Sequence, residues 1–454
     1  MTIFTKAQPS IAIVGAGIGG LALALFLRRA GVNSIAVFEL GSREADAGGY
    51  LTLAPNALYQ LHRLGLYQSL VKQGYAYEAL SILSSRCNGM SHIGQVLNGS
   101  REKYGYTALR ISRSVVREAL LETVDHDTSI QIHFGKKVID VCEGTDYNDV
   151  EEKVILTFHD GYSQPFDYVI GADGIHSRIR VAVTDRQPEF AGQVGIGGGC
   201  VLRSSLPAGQ PLPCLLMGRT NSFMLMPTVH DGSVVSAFAT IDSRARTRDE
   251  WAALSDDKEQ IAKMLLDGHC RPGSEWGNTV QHVCKQSASI QQRHELSIWP
   301  HFRLFDLDWW TTESCRIICI GDSVHAMPPS GGQGAAMALE DAASLARVFG
   351  KVLDSESGDF AAEFQEEISL WEERRQTRCA QIQAFTTKSG NMRRPTPSHA
   401  RQIVKESLMW AALMLQGKTS GFDWIYGHQE QGPNAFQDDS SVVSSCASAC
   451  SLSS

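Results

Sequence analysis

Apolar residues along the chain fall into two recurring patterns. Short runs without polar alternation occur at Ile11–Val14, Ile35–Phe38, Tyr168–Ile170 and Ile317–Ile320. Such runs suit strands buried on both faces of a parallel sheet. Longer stretches carry helical spacing. The segment Gly19–Ala30 is apolar nearly all round through Leu27, which predicts a buried helix, with Arg28 and Arg29 in its last turn and Gly31 beyond it. Val116, Leu120 and Val124 form one face of a helix that opens at Ser112 or Ser114. Further helices are predicted from about Asn56, from the glycines near residue 334 to about Val352, and from about Phe360 to Thr386. Strand-like segments fill 75–106 and 130–159, with turn signals at Asn88-Gly89 and Asn98-Gly99. Between Val181 and Arg303 helical patterning is sparse outside Asp249–Leu266, and runs such as Phe223–Met226 and Ser233–Ile241 predict a second sheet. An apolar segment at Ser407–Leu415 is too short and too interrupted to span a bilayer and is expected as a buried or packing helix.

Composition narrows the class. The chain has 454 residues, 43% of them hydrophobic and 20% charged, which suits a globular protein with more than one core. The net charge of −8, without a basic stripe, argues against a nucleic-acid partner. Met1–Ser10 lacks the pattern of a signal peptide, and eleven cysteines without CxxC spacing suit a reducing, cytoplasmic setting. Neither the cysteines nor His176 and His325 have metal-ligand spacing. Beyond Gly432 serine takes over, and a disordered tail containing Cys446 and Cys450 is expected.

The chemistry concentrates in three stretches. In the first, Gly15, Gly17 and Gly20 follow a predicted strand and open a predicted helix, and Glu39 ends the next strand nineteen residues after Gly20. Gly15 permits a tight turn, Gly17 lets a pyrophosphate approach the backbone, and Gly20 lets helix and strand pack closely. A carboxylate at Glu39 can accept hydrogen bonds from a ribose diol, favouring a free 2′-hydroxyl as in FAD or NAD. The second stretch is Gly171-Ala172-Asp173-Gly174. Asp173 could cap a helix starting at Ile175 or brace a bound cofactor, and the residues alone leave both open. In the third, a strand ends in Gly321-Asp322, and Pro328-Pro329-Ser330-Gly331-Gly332-Gln333-Gly334-Ala335 leads into a helix. Asp322 can accept from a hydroxyl, and the loop amides at a helix N-terminus can stabilise developing negative charge.

These motifs, in this order, resemble the single-component FAD-dependent aromatic hydroxylases, the class A flavoprotein monooxygenases typified by para-hydroxybenzoate and salicylate hydroxylases, over about residues 10–390. Phe422–Gly427 resembles the ending of fungal salicylate-hydroxylase-like enzymes. The resemblance implies an α/β fold in which a Rossmann-like FAD-binding domain is interleaved with a β-sheet-rich substrate domain and followed by C-terminal helices. The expected divisions are FAD-binding parts at 1–180 and 304–390, a substrate sheet at 181–303, a helical region at 391–432 and the tail at 433–454. It also implies that Gly48 and Gly49 pass the cofactor, that Arg113 contacts FAD, that Asp173 serves FAD and NADPH, and that Asp322, Gly332, Gly334 and Ala335 line the ribityl and ring portions. NADPH or NADH would reduce the flavin, and O2 would supply an oxygen atom to a small organic substrate.

One departure stands out. Where salicylate-hydroxylase-like members carry Tyr-Arg, this chain has Gly195-Ile196-Gly197-Gly198-Gly199, and Arg203 is no equivalent. The glycines are expected to leave room for a bulkier aromatic, polyketide, terpenoid or alkaloid substrate of secondary metabolism. No catalytic acid or base and no oligomeric state follow from the sequence. A non-oxygenating flavin oxidoreductase or a halogenase is the competing reading, although the Trp-x-Trp-x-Ile-Pro stretch that marks halogenases is missing.

Overall fold

The apolar runs become a five-stranded parallel sheet in the order Ile317–Cys319, Tyr168–Gly171, Ser10–Val14, Ser34–Phe38 and Ile130–His133. The computed structural model describes residues 8–45, 48–86, 91–145, 152–356, 359–416 and 421–430. The central strands have helices on both faces, which is why their sequence shows no alternation. The helix Ile18–Arg29 is buried along most of its length. It packs on the helix Gly334–Asp354, which in turn meets the 34-residue helix Phe360–Arg393.

A second sheet has seven strands, in the order Ser297–Arg303, Glu189–Leu202, Val234–Asp242, Ser222–Pro227, Cys214–Met217, Ala79–Ser84 and Ser91–Leu97. The last two come from the N-terminal part of the chain, and Ala79–Ser84 joins Cys214–Met217 in parallel. Side chains alternate across the pleat. Phe223 and Leu225 pack under the helices Arg248–Asp256, Lys258–His269 and Asn278–Ser287, while Met224 and Met226 face the other way, towards the first sheet.

Several expectations are corrected. No α-helix starts at Ile175; an irregular turn leads to a short 3-10 helix at Ile179–Ala182. The single helix expected at Asp249–Leu266 is two, because Asp257 ends one and caps the next through a bond from the Gln260 amide at 2.9 Å. The segment expected as a buried or packing helix is the latter, within His399–Gln416: Leu413 packs on Gly94, whereas Leu408, Trp410, Met414 and Leu415 are exposed. The serine-rich tail, with Cys446 and Cys450, lies outside the described residues. No disulfide joins the described cysteines, and no helix among the described residues is long and apolar enough to cross a membrane.

A buried charge cluster ties these elements together. Asp341, on Gly334–Asp354, accepts from the Gly321 amide at 2.9 Å, from His325 Nε2 at 2.6 Å and from Arg375 Nε at 2.8 Å. Glu340 beside it accepts from Arg375 Nη1 at 2.9 Å and from Asn56 Nδ2 at 2.8 Å. Asn56 also donates to Gln333 Oε1 at 2.9 Å. Burial alone would raise the Asp341 pKa, but His325 and Arg375 overcome it and hold the carboxyl at about 2. Burial likewise opposes the charge on Arg375, and the facing carboxylates keep it well above its usual range. His325, Asp341 and Cys379 lie close together, and His325 Nε2 and Asp341 are already paired with each other in this network. Replacing Arg375 with Met would take from both buried carboxylates the guanidinium they share, leaving Glu340 to Arg378 and Asp341 to His325. The expected loss is about 3–5 kcal/mol of unfolding free energy, measured by denaturant titration; an unchanged midpoint would show that the cluster is not under strain from its charges.

Candidate active site

The cluster fixes the place where two helix N-termini meet. Gly19, in the first turn of Ile18–Arg29, and Gly321 both face Ala338, one turn into Gly334–Asp354; a Cβ on either glycine would stand 3.2 Å from the Ala338 Cβ. Small residues at all three positions let the helices converge. Between their N-termini and the inner face of the seven-stranded sheet lies a cavity of about 440 Å³, partly open to solvent.

Each glycine of the first motif does a different job. Gly15 has φ +108°, and a Cβ there would meet the Ala172 carbonyl. A Cβ on Gly20 would collide with the Gly15 carbonyl, so these two glycines serve the strand–turn–helix geometry itself. Gly17 differs. Its φ of −80° suits any residue, and a Cβ there would have nothing within 4 Å. Gly17 borders the cavity, so its lack of a side chain keeps open space in front of the first-turn amides. No side chain caps this helix N-terminus. Such a set of amides fits a phosphate or pyrophosphate.

Glu39 holds the adjacent turn: its Oε2 accepts from the Ala16 amide at 2.7 Å and its Oε1 from the Gly41 amide at 2.8 Å. Each oxygen retains capacity for a further hydrogen bond. Arg117, which the sequence did not single out, donates to the Ala16 carbonyl at 3.1 Å and the Arg43 carbonyl at 2.9 Å. Its signal was its spacing, one helical turn after Arg113. Arg113 starts the helix Arg113–Asp125 at the cavity wall, and its amide donates to the Gly49 carbonyl at 3.0 Å. Gly48 and Gly49 both have positive φ, and Gly49 lies against the Trp299 ring, where a Cβ would come within 2.9 Å.

At the opposite wall, Asp322 and the loop from Met327 to Ala335 border the cavity. Gly332 has φ +63°, and Gly334 and Ala335 start the long helix with no side-chain cap. Asp322 Oδ1 would lie 3.9 Å from a Cβ on Gly334, so carboxylate and helix N-terminus face the same space. The loop is held from behind. Ser330 Oγ donates to the Thr386 carbonyl at 2.9 Å, and its carbonyl accepts from Ser389 Oγ and Arg393 Nη2, each at 3.0 Å.

Asp173 stands apart. It does not border the cavity; its Oδ2 accepts from the Arg178 amide at 2.7 Å and the Ile179 amide at 3.3 Å, stitching the turn before the 3-10 helix. Its Oδ1 is enclosed and has no partner. Burial raises its pKa. Its observed contacts are of the capping kind, to the start of a helix four residues later than expected.

The glycine run at 195–199 is also corrected. A Cβ on Gly195 would strike the Phe238 ring, and one on Gly197 would press on both Phe238 and Trp299 at 3.1 Å. Gly198, at φ +107°, lies on the Glu295 carbonyl, and Gly199 on Ser287. The pairing with Val234–Asp242 shifts between Gly197 and Cys200, so the run forms a bulge. Protein rings fill the space, and no glycine of the run borders the cavity.

Known proteins share this plan. The FAD binding domain family matches residues 8–367. The chain is 29% identical to 3-amino-4-hydroxybenzoate 2-monooxygenase of Streptomyces platensis, covering 94% of this chain and 98% of that protein. It is 26% identical to a salicylate hydroxylase of Pseudomonas putida, covering 92% of each. The structure of Klebsiella pneumoniae HpxO complexed with FAD and uric acid matches with a TM-score of 0.68 at 22% identity, covering 90% of this chain and 97% of that one. The open cradle at Gly17 and the paired helix N-termini fit the cofactor that this family binds. The chain belongs to the FAD binding domain family and is an FAD-dependent monooxygenase.

Proposed function

We propose that this enzyme uses NADPH or NADH and O2 to place one oxygen atom on a small aromatic substrate held against the inner face of the seven-stranded sheet. The observation that carries this reading is the shared cavity. Its one end has two uncapped helix N-termini; its other is walled by Leu215, Met224, Met226 and Phe238. Polar amides at one end and apolar side chains at the other suit a charged cofactor beside a flat organic ring.

In this reading Gly15, Gly17 and Gly20 form the pyrophosphate turn, and Glu39 takes the adenosine ribose. Arg113, with Gly48 and Gly49, flanks the cofactor's middle, and Asp322 accepts from its ribityl hydroxyls. The amides around Gly332, Gly334 and Ala335 would hold one edge of its ring, where about half an elementary charge at the helix N-terminus would favour a ring that gains negative charge. Asp173 acts at one remove, by fixing the turn behind Ala172. The bound flavin supplies the redox chemistry and the activation of oxygen. The chain binds it, orients it and keeps water from the substrate ring. Hydroxylation is the simplest outcome for an aromatic ring, and a role in secondary metabolism is suggested by the likeness of Phe422–Gly427 to the ending of fungal enzymes.

Three measurements test this. Purified holoenzyme should oxidise NADPH or NADH with consumption of O2, and a screen of aromatic compounds should yield a product one oxygen atom heavier. Donor turnover that proceeds equally well without oxygen would instead identify a reductase. Gly17→Val should leave folding intact, because nothing surrounds the added methyls, yet yield colourless apoprotein; a yellow variant with full flavin would place the pyrophosphate elsewhere. Glu39→Ala removes the acceptor for ribose and for two turn amides, so FAD affinity should fall about 10- to 150-fold in flavin-fluorescence titration. Unchanged affinity would remove Glu39 from the site.

A further inference from the structure

The last long helix turns an apolar face away from the protein. In His399–Gln416 the residues Gln402, Glu406, Met409 and Leu413 recur at helical spacing and are turned inward. Met409 and Leu413 pack on the apolar cluster around Ile82, Ile93 and Leu215. On the opposite side Val404, Leu408 and Leu415 are exposed, Leu408 to 67% and Leu415 to 89%. Ile403, Trp410 and Met414 are exposed too, and their spacing extends the patch along one flank. Six large apolar side chains on one helix face are more than scattered single exposures; a contiguous patch of this kind marks an interaction surface.

The charges around the patch are of one sign. The chain as a whole has a net charge of −8, yet residues 388–416 contain Lys388, Arg393, Arg394, Arg401 and Lys405 against a single acid, Glu406. Glu406 is buried, where it accepts from Ser84 Oγ at 2.8 Å and pairs with Arg86. Lys388, Arg394 and Arg401 are exposed, and Lys405 Nζ donates to the Arg394 carbonyl at 2.9 Å. Helical spacing sets Arg401 and Lys405 on the flank opposite Ile403, Trp410 and Met414. An acidic protein thus shows solvent, at this one helix, an apolar stripe edged with cations. The patch also adjoins the active-site cavity. Thr387 and Asn391 border both the cavity and a neighbouring recess, and Met392 and Lys405 border both that recess and the groove lined by Val404, Leu408 and Met409.

The charges decide between two occupants. A second copy in a two-fold contact would meet this face with the same face. Arg401 and Lys405 would then stand near their own copies, with the stretch's one acid already buried and paired. A bilayer with anionic headgroups has no such conflict. Its acyl chains can take Leu408, Trp410, Met414 and Leu415, and its headgroups can take the cations. The inward face of the helix is committed to the protein, so the helix can lie on a bilayer without crossing it.

We infer that the outer face of His399–Gln416 docks this enzyme on an anionic lipid bilayer, with the helix lying flat at the headgroup level. The inference goes beyond the monooxygenase reading and does not depend on it.

The test uses the full-length, flavin-loaded protein and two kinds of vesicle, one of phosphatidylcholine alone and one with phosphatidylserine mixed in. Wild-type protein should float with the mixed vesicles, bind the neutral ones less, and lose affinity as salt rises. Leu408→Asp should weaken binding about 10- to 150-fold. Arg401→Gln should weaken it about fivefold, and only on the mixed vesicles. Both side chains are exposed, so flavin content should not change. Brominated acyl chains should quench tryptophan emission, and Trp410→Phe should remove most of that quenching. The inference is overturned if wild-type protein binds no vesicle, binds both kinds equally, or is matched by Leu408→Asp. It is overturned as well if wild-type protein sediments as a dimer that Leu408→Asp dissociates, which would give the face to a second copy. If Leu408→Asp does not fold, the quenching decides: quenching that persists in Trp410→Phe would place the contact elsewhere.

Discussion

The ion-pair cluster around Asp341 sets the geometry on which the site depends. A strand ends at Cys319, and the chain must turn sharply at Gly321 to present Asp322 to the cavity. Asp341 grips that turn by the Gly321 amide while Arg375 and His325 fill its remaining lone pairs. Glu340, next in line, reaches Asn56, which holds Gln333 immediately before the helix that opens at Gly334. One pair of adjacent carboxylates thereby fixes both halves of the cofactor-facing wall. The cost of burying them is met by two arginines from the long C-terminal helix, Arg375 and Arg378. That helix is remote in sequence from the motifs it supports; Glu366, Glu373 and Arg374 lie on its exposed face, whereas Glu372, Arg375 and Arg378 are buried.

A division of labour follows. The parallel sheet and its helices supply backbone amides, which suit phosphates and a ring that gains negative charge. The seven-stranded sheet supplies side chains, which suit discrimination among organic rings. Its strands at Ala79–Ser84 and Ser91–Leu97 come from within the first part of the chain, so the two sheets are stitched together twice. Substrate preference can therefore change on the sheet, at positions such as Met224 or Phe238, without disturbing the amide cradle.

Much of the first half of this was legible in the sequence. The runs Ile11–Val14 and Tyr168–Ile170 are buried strands because no polar residue interrupts them, and Gly15, Gly17 and Gly20 occupy the turn their spacing demands. What failed were readings that needed a partner from far along the chain. The glycines at 195–199 read as free space, since a sequence shows which residues lack a Cβ and not which ring arrives to fill the gap; Phe238 and Trp299 do so here. Asp173 carries a cap signal, but the turn it stabilises runs six residues further before any helix forms. Arg110 left one legible trace, a charge inside an otherwise apolar strand. That its Nε lacks a partner among the described residues only the assembled fold reveals.

The most direct measurement is a crystal structure of the protein with FAD bound. The pyrophosphate should lie over the open side of Gly17, with the adenosine ribose on Glu39 and the N1–O2 edge of the ring against the amides of 332–335. The opposite face of the ring should look onto Met224 and Phe238. A flavin ring placed away from the 332–335 amides, or a pyrophosphate remote from Gly17, would contradict a site built from two converging helix N-termini.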